Sequence, residues 1–300
     1  MAIPEFLIER LETQYGTELK NKILEGFKVK RKVTFRVNTL KASVEEIEEV
    51  LKKENIEFEK VLWSEDAFII KNVLKEDIQR LDIYEQGKIY LQSLSSMLPP
   101  IVLKPLEGND ILDMAAAPGG KTTQMAALSN NKAHITACEM NNIRIEKLKY
   151  NVEKQGASCV YIMPKDSRQI DDFFSFDQIL LDSPCSGSGT LAEDNSNTEK
   201  YFTPKLIEKS TKSQYALLKK ALKILKPGHE MVYSTCSILK EENEEIVNKV
   251  LKEVKAEIVP ITFDGLEVLP VLPVELEGTI CVMPTEEYEG FYIAKLRRLK

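Results

Sequence analysis

The spacing of apolar residues changes near residue 92 and divides the chain into two regions. Before that point, apolar positions recur at helical spacing in two segments, and three short apolar runs have the length of strands. Ser43 stands before the second helical segment and is a suitable N-cap. We therefore expect a small α+β domain over residues 1–92. Its predicted elements are a helix at 5–26, a strand at 34–38, a helix at 44–53 and strands at 57–62 and 67–71.

After residue 92 the chain alternates short apolar runs with longer amphipathic segments. Strands that alternate with helices predict a parallel sheet with helices on both faces. We therefore expect a second, α/β domain over residues 93–300. Its predicted strands are 110–116, 134–139, 159–164, 177–182 and 230–235, with two more at 257–262 and 290–295. Its predicted helices are 93–102, 121–129, 142–155, 204–225 and 240–255.

The first predicted strand of the second region leads into a glycine-rich turn, Pro118-Gly119-Gly120. Two glycines permit positive φ angles and let the backbone approach a ligand closely. A strand, such a turn and a helix N-terminus together form a nucleotide-binding corner. Glu139 follows Gly119 by twenty residues and ends the next predicted strand, where a carboxylate suits the two hydroxyl groups of a ribose.

Two other interpretations of this turn stay open. It can be a plain tight connection between a strand and a helix, although the acid at Glu139 favours a nucleoside cofactor. It can also be a phosphate-binding loop, because residues 115–122 match the pattern G-x-x-x-x-G-K-[ST] except at Ala115, which replaces the first glycine. Ala and Pro in the loop oppose the curl around a phosphate, so an ATPase that uses Lys121 ranks second.

Composition narrows the class of protein. With 43% apolar and 29% charged residues, the chain of 300 residues can bury a sizeable core. The formal net charge of −6 gives no general support for nucleic-acid binding, so an RNA site requires a local basic patch such as residues 28–32. No apolar run is long enough to span a membrane, and the N-terminus lacks a secretory signal pattern. We expect a cytoplasmic protein.

Two cysteines stand where a parallel sheet binds its ligands. Asp182 ends the fourth predicted strand, Cys185 follows it closely, and Cys236 follows the fifth strand. Ligands bind at the carboxyl ends of parallel strands, and the fourth and fifth strands should be neighbours, so both thiols should face one crevice. Cys185 opens an irregular stretch at 185–203, where burial is not expected.

The other three cysteines lack such a setting. Cys138, Cys159 and Cys281 are expected to be small buried apolar residues, the common state of a free cysteine. The five cysteines form no C-x-x-C pair and fit no zinc pattern, so we expect reduced thiols and no metal.

Three stretches combine these candidate residues into specific motifs. They are Asp-Met-Ala-Ala-Ala-Pro-Gly-Gly-Lys-Thr at 113–122, Asp-Ser-Pro-Cys-Ser-Gly-Ser-Gly at 182–189 and Tyr-Ser-Thr-Cys-Ser at 233–237. Together they resemble the signature of the NOL/NOP/Sun family of RNA 5-methylcytosine methyltransferases. Weaker matches lie at 35–41, 90–98 and 289–295, so the resemblance runs in the family's order along nearly the whole chain.

The resemblance implies a Rossmann-like methyltransferase domain that uses S-adenosyl-L-methionine, behind an RNA-binding N-terminal domain. It implies methylation of carbon 5 of a cytosine in tRNA or rRNA through a covalent cysteine–base intermediate, on a base that has left its stack. By family similarity Cys236 is the nucleophile, Cys185 assists release, and Asp182 meets ring nitrogen 3. The sequence alone also permits the two thiols to exchange roles.

The same resemblance assigns the cofactor-binding residues. A loop at 115–121 surrounds the methionine part, one carboxylate holds the ribose, another meets the adenine, and a third lies at the reactive end. These residues are Ala115, Ala116, Ala117, Pro118, Gly119, Gly120, Lys121, Glu139, Asp166 and Asp182.

The chain departs from the family pattern at a few positions. The family usually has Cys at Ala115 and Ala at Ser183, and both exchanges involve small residues. Residues 190–197 are acidic where the family often carries Arg before a helix that faces RNA. Many relatives carry a further C-terminal RNA-binding domain, whereas this sequence ends at the last predicted strand, so we expect RNA selection through the N-terminal domain and loops. We also expect a monomer. An RNA-binding protein without catalysis ranks third, because both thiols are present.

Overall fold

The computed structural model describes residues 3–191 and 201–300 and contains two β-sheets. Of the predicted irregular stretch at 185–203, the structure describes residues 185–191 and 201–203. Residues 192–197 of the acidic segment at 190–197 lie outside the described residues. Within the described ranges, no helix is long and apolar enough to cross a membrane.

The first sheet is antiparallel and has the strand order β2-β3-β1-β4. Its apolar face packs against helix α2, which begins as predicted after Ser43, whose hydroxyl accepts a hydrogen bond from the Glu46 amide. Two short helices, α3 and α4, are too brief to show helical periodicity and are not predicted. The elements are α1 Glu5–Lys28, β1 Val33–Val37, α2 Val44–Lys53, β2 Phe58–Val61, β3 Ser64–Ile70, α3 Lys75–Gln79, α4 Asp82–Glu85 and β4 Ile89–Leu91.

Helix α1 packs on the second sheet rather than on the first. Its buried residues, Leu7 and Leu11 among them, belong to the same apolar cluster as Tyr233 and Tyr292 of that sheet. The Tyr15 hydroxyl donates to the carbonyl of Ile238 at 2.6 Å. The division of the chain at residue 92 therefore stays a prediction.

The second sheet has the order β11-β12-β13-β9-β8-β5-β6-β7, with β10 paired to β13. Strands β5 to β9 are parallel, as predicted, whereas β13 runs antiparallel to β9. The strands are β5 Asp110–Asp113, β6 His134–Glu139, β7 Val160–Pro164, β8 Phe176–Asp182, β9 Leu225–Thr235, β10 Ala256–Ile258, β11 Val271–Leu272, β12 Ile280–Val282 and β13 Phe291–Arg298. Strands β11 and β12 are not predicted.

Helices cover both faces of the second sheet, as predicted. The predicted helix at 240–255 is shorter in the structure, because a single 3₁₀ turn at Lys240–Glu242 precedes it. The predicted strand at 110–116 ends early, at Asp113, where the chain begins to turn. The helices are α5 Leu94–Leu103, α6 Gly120–Leu128, α7 Asn142–Gln155, α8 Pro204–Ile224 and α9 Glu244–Leu251.

The strand order places a crevice at the carboxyl end of β5. This strand lies between β6 and β8. The chain passes from β5 to β6 and β7 on one side, and then crosses to β8 on the other side of β5. Open α/β sheets bind ligands at such a switch point. Residues Ile111, Leu180 and Val232 pack on the face covered by α5 and α6, and alternation along the strands puts Asp113 and Asp182 on that face.

Candidate active site

The glycine-rich turn connects β5 to α6 and borders the crevice. Gly119 is the N-cap of α6 and has φ of +108°, which is strained for residues with a side chain. A Cβ atom at Gly119 would also lie 3.0 Å from Leu148 Cδ1 of α7. The turn is fixed from the same helix, since Arg144 donates to the carbonyl of Ala117 at 2.6 Å.

A buried arginine of the first sheet supports the other side of this turn. Arg36 Nη2 donates to the Gly120 carbonyl at 3.1 Å and to Thr123 Oγ1 at 2.8 Å, and Nε donates to Gln92 Oε1 at 3.0 Å. Burial lowers the pKa of the Arg36 guanidinium to about 10. Sequence reasoning did not single out Arg36, and its only signal is the weak motif at 35–41.

Asp113 lies at the end of β5 with its carboxyl group fully enclosed. Its Oδ2 accepts from Thr122 Oγ1 at 2.7 Å, and its exposed fraction is 1%. Burial raises the pKa of Asp113 to about 6, with Asp182 raising it further and Lys121 lowering it. The ionised carboxylate therefore disfavours the folded state.

We expect this carboxyl group to make stability fall as pH rises. Between about pH 4 and pH 6 the folded protein holds a proton on Asp113 that the unfolded chain has lost. The part of the free energy of unfolding that comes from protonated Asp113 is present below pH 4 and is lost as the pH rises through about 6; it amounts to about 3 kcal/mol. Urea unfolding of the wild type and of Asp113→Asn from pH 4 to pH 7 should show this relative loss. A constant difference between the two proteins would contradict it.

Asp182 ends β8 and is held by partners on both carboxylate oxygens. The register pairs it with Ser234 of β9, and Ser234 Oγ donates to Asp182 Oδ1 at 2.8 Å. Lys121 Nζ lies 2.7 Å from Asp182 Oδ2 and 2.7 Å from Ser96 Oγ. It also lies 5.3 Å from the centre of the Phe291 ring. Ser96 and Ser234 are not predicted individually, although both lie within quoted motifs.

The two predicted thiols meet at the ends of neighbouring strands. Cys185 Sγ and Cys236 Sγ are 3.0 Å apart, although 51 residues separate them in sequence. The hydrogen bond with Cys236, followed by burial, raises the pKa of the Cys185 thiol well above its usual value. The two thiols therefore lie together, as predicted, but Cys236 lines the cavity beside the glycine-rich turn and Cys185 does not.

The expectation that Cys185 lies in an unburied turn is wrong. Cys185 is half-buried, because the loop that carries it is anchored to the loop that carries Cys236. The Gly189 amide donates to the Cys236 carbonyl at 3.0 Å, and the Ser186 amide donates to Glu242 Oε1 at 2.8 Å. The anchoring residue Glu242 has no distinguishing sequence signal.

The other cysteines do not line the cavity that contains Cys236, although Cys138 lines a second cavity at the end of β6. Cys138 and Cys281 are buried, as expected, and burial raises the pKa of the Cys138 thiol to about 11. Cys159 is half-buried. A high pKa disfavours the reactive thiolate, so Cys138 is an unsuitable nucleophile.

Two cavities meet at Ala115, and together they are lined by every predicted cofactor-binding residue except Gly119. The larger, of about 330 Å³, lies at the turn and Cys236, and the smaller, of about 100 Å³, lies at the ends of β6 and β7. Predicted residues that line the larger are Ala115, Ala116, Ala117, Pro118, Gly120, Lys121, Asp182 and Cys236. Those that line the smaller are Ala115, Glu139 and Asp166.

Both acids of the smaller cavity already have partners. Glu139 Oε1 accepts from the amides of Met140 and Asn141 at 2.9 Å each, and Oε2 lies 3.2 Å from Arg144. Arg168 donates to both oxygens of Asp166 and lowers the pKa of that carboxyl group. A carboxylate has about four acceptor positions, so Glu139 can accept one more bond while these contacts persist.

Comparisons with known proteins agree with this architecture. Residues 100–297 match the family described as 16S rRNA methyltransferase RsmB/F, and residues 3–75 match the ferredoxin-like domain of RsmF/B-like methyltransferases. Ribosomal RNA small subunit methyltransferase F of Shewanella sp. (strain ANA-3) is 36% identical over 276 residues, which cover 89% of this chain and 56% of the relative. The chain thus spans about half the length of the curated relatives it matches.

Two solved structures resemble the whole chain. A methyltransferase homologue from Pyrococcus horikoshii has a TM-score of 0.83 and 32% identity, covering 99% of this chain and 100% of the homologue. NSun6 from the same organism, solved with SFG, has a TM-score of 0.85 and 25% identity, covering 99% of this chain and 98% of NSun6. With its motifs and the family match over residues 100–297, the chain belongs to the RsmB/F methyltransferase family, within the NOL/NOP/Sun group.

Proposed function

We propose that this chain transfers a methyl group from S-adenosylmethionine to carbon 5 of a cytosine in RNA. The observation that carries the proposal is the pair of thiols, Cys185 and Cys236, 3.0 Å apart. Asp182 and Cys236 also line the same cavity as the glycine-rich turn. A nucleophilic thiol, a second thiol and a carboxyl group are the groups that this substitution needs.

In the proposed reaction the Cys236 thiolate adds to carbon 6 of the ring, and the electrons of the 5,6 double bond become available at carbon 5. Asp182, after taking up a proton from solvent, passes it to ring nitrogen 3, which neutralises the charge that develops there, and takes it back once carbon 5 has been methylated. S-adenosylmethionine, when bound, supplies the electrophilic methyl group. Cys185, after losing its own proton to solvent, then takes the proton from carbon 5 as a thiolate. The electron pair left behind restores the double bond as the bond from Cys236 Sγ to carbon 6 breaks.

The two cavities that meet at Ala115 support a nucleoside cofactor with a charged side arm. We propose that the turn at 115–121 holds the methionine part beside Asp182, and that Glu139 accepts from the ribose. Asp166 is proposed to meet the adenine, for which it must share acceptor positions that Arg168 now uses. A Cβ at Gly120 would lie 3.1 Å from Tyr90 Cε1, so the narrow turn favours glycine there.

The same geometry disfavours the two rival functions. A phosphate-binding loop needs a free lysine, whereas Lys121 Nζ is paired with Asp182 and bonded to Ser96. A protein that only binds RNA has no need for two thiols held in hydrogen-bond contact.

A third cavity supports the N-terminal region as part of the RNA site. It has a volume of about 500 Å³ and adjoins the catalytic cavity, sharing Gln92 and Ser93 with it. Lys30 and Lys75 line it, and neither has an ion-pair partner within the part of the chain that the structure describes. Lys32, in contrast, is paired with Glu286 and Glu287. We propose that the two unpaired lysines contact RNA phosphates.

Reversing one of these charges should weaken RNA use alone. Lys75→Glu is expected to raise KM for RNA about tenfold and to leave KM for S-adenosylmethionine unchanged, because the side chain lies outside the proposed cofactor site. Lys53→Glu, at the end of α2, is the matched control and should leave both constants unchanged. Steady-state methyl transfer at two salt concentrations measures this effect. Equal shifts in the two variants would refute a local role for Lys75.

The test of the function is methyl transfer from labelled S-adenosylmethionine onto unmodified RNA. Because the Shewanella relative is named for the small ribosomal subunit, we propose small-subunit rRNA as the first substrate, with tRNA as the alternative. Label in 5-methylcytidine is expected, and the labelled fraction identifies the substrate class. Label in another nucleoside would overturn the two-thiol mechanism.

A further inference from the structure

We infer that Glu242 and Asn243 are positioning residues that set the two thiols separately, Glu242 acting on Cys185 and Asn243 acting on Cys236. The inference rests on the proposed function, because it divides the roles of the two thiols between two adjacent residues. Neither residue lies among the motif positions discussed above. Both are buried, with exposed fractions of 0% and 1%.

Glu242 holds the residue that follows Cys185. Its Oε1 accepts from the Ser186 amide at 2.8 Å, and its Oε2 accepts from Ser186 Oγ at 2.5 Å. Gln214 Nε2 of α8 donates to the same carboxylate at 3.2 Å and to the Pro184 carbonyl at 3.1 Å. The residues on both sides of Cys185 are therefore fixed by one buried pair of polar side chains.

Asn243 holds the residues on both sides of Cys236. Its Oδ1 accepts from Thr235 Oγ1 at 2.6 Å, and its Nδ2 donates to the Ser237 carbonyl at 2.9 Å. The Ser237 amide also donates to Thr235 Oγ1 at 3.2 Å, which closes the turn around Cys236. Loss of the Asn243 amide would remove the side chain that bridges the two ends of this turn.

The backbone of Glu242 is itself held by the strand that leads to Cys236. The Tyr233 hydroxyl, on the strand that leads to Cys236, donates to the Glu242 carbonyl at 2.6 Å. Direct contacts also join the two loops on both sides of the thiols, since the Ser183 amide donates to the Ser234 carbonyl at 2.8 Å and Ser188 Oγ lies 2.8 Å from Ser237 Oγ. Among these contacts, the Glu242 carboxylate is the one that bonds Ser186, the residue directly after Cys185. A displacement of about 1 Å at a reacting group can cost about 100-fold in rate.

The separate assignment predicts opposite effects on the covalent intermediate. Without the Glu242 carboxylate, Cys185 is displaced and release slows, so the cysteine–RNA adduct should accumulate during turnover. Without the Asn243 amide, Cys236 is displaced and attack slows, so the adduct should be scarce. A general loss of structure would lower both steps together.

The experiment measures the rate of adduct formation on denaturing gels, in the Cys185→Ala background and with S-adenosylmethionine present. In that background release is blocked, and the rate reports attack by Cys236 alone. Adding Glu242→Gln should change this rate by less than about twofold, since its target thiol is already absent. Adding Asn243→Ala should slow it about tenfold.

Conservative variants keep the inference open to refutation if a double variant fails to fold. Ser186→Ala removes one hydrogen bond to Glu242, and Thr235→Val removes one to Asn243. Ser186→Ala should leave the rate of adduct formation nearly unchanged, and Thr235→Val should slow it. Melting temperature and cofactor binding serve as folding controls. Equal slowing by the Glu242 and Asn243 variants would overturn the inference and assign both a general structural role. If Cys185→Ala itself forms no adduct while it binds cofactor, the proposed function fails first and the inference falls with it.

Discussion

Cys236→Ala should abolish methyl transfer and form no covalent RNA adduct, whereas Cys185→Ala should trap that adduct. Removal of a nucleophile commonly costs about 10⁴-fold or more in rate. Because the two thiols are in contact, we expect them to differ in the step of the reaction at which each acts, and not in the part of the site that each reaches. Attack precedes release, and only loss of the second function leaves RNA attached to the protein.

Single-turnover methyl transfer and a denaturing gel of the protein–RNA mixture measure both outcomes together. Cys159→Ala is the matched control, because this half-buried cysteine lies outside the crevice, and its rate should stay within about twofold of the wild type. An adduct in Cys236→Ala that is missing in Cys185→Ala would show that the thiols exchange roles. Full activity in Cys236→Ala would refute covalent catalysis.

Much of the crevice could be predicted because its residues stand at the ends of parallel strands. Asp182 and Cys236 each follow an apolar run, and neighbouring strands bring such ends together whatever their separation in sequence. The pairing of Asp182 with Ser234 is a direct result of the β8–β9 register. That β8 and β9 are neighbours, and that the two thiols lie close together, follow from patterns that depend on local sequence.

The supports of the crevice could not be predicted in this way, because they act across long sequence separations. Arg36 reaches a carbonyl 84 residues away, and Glu242 contacts an amide 56 residues away. A buried charge in a strand or at a helix start has no periodic signal, and its partner is known only once the elements pack. The two short helices α3 and α4 escape prediction for a different reason, since four or five residues show barely one helical turn.

Asp182→Asn should lower the rate of methyl transfer about 10² to 10³-fold while leaving the fold and the cofactor affinity nearly intact. The amide keeps the shape of the carboxyl group, and its oxygen can still accept from Ser234 Oγ, whereas the ion pair of Oδ2 with Lys121 is lost. It can also donate a hydrogen bond to ring nitrogen 3, but it cannot deliver a proton there. The loss therefore measures proton transfer in the addition step, for which general acid catalysis commonly contributes about 10² to 10⁴-fold.

Ser234→Ala separates this chemical role from the positioning of the carboxylate. It removes one donor to Asp182 Oδ1 and leaves the ion pair with Lys121 in place, so we expect a loss of about tenfold or less. Both variants are compared by the rate of adduct formation in the Cys185→Ala background, because nitrogen 3 is protonated in the step that forms the adduct. If Asp182→Asn forms adduct as fast as its parent but transfers methyl slowly, Asp182 acts at the cofactor rather than at the base. If the two substitutions cost the same, the carboxyl group matters through its position, and another group must protonate the ring.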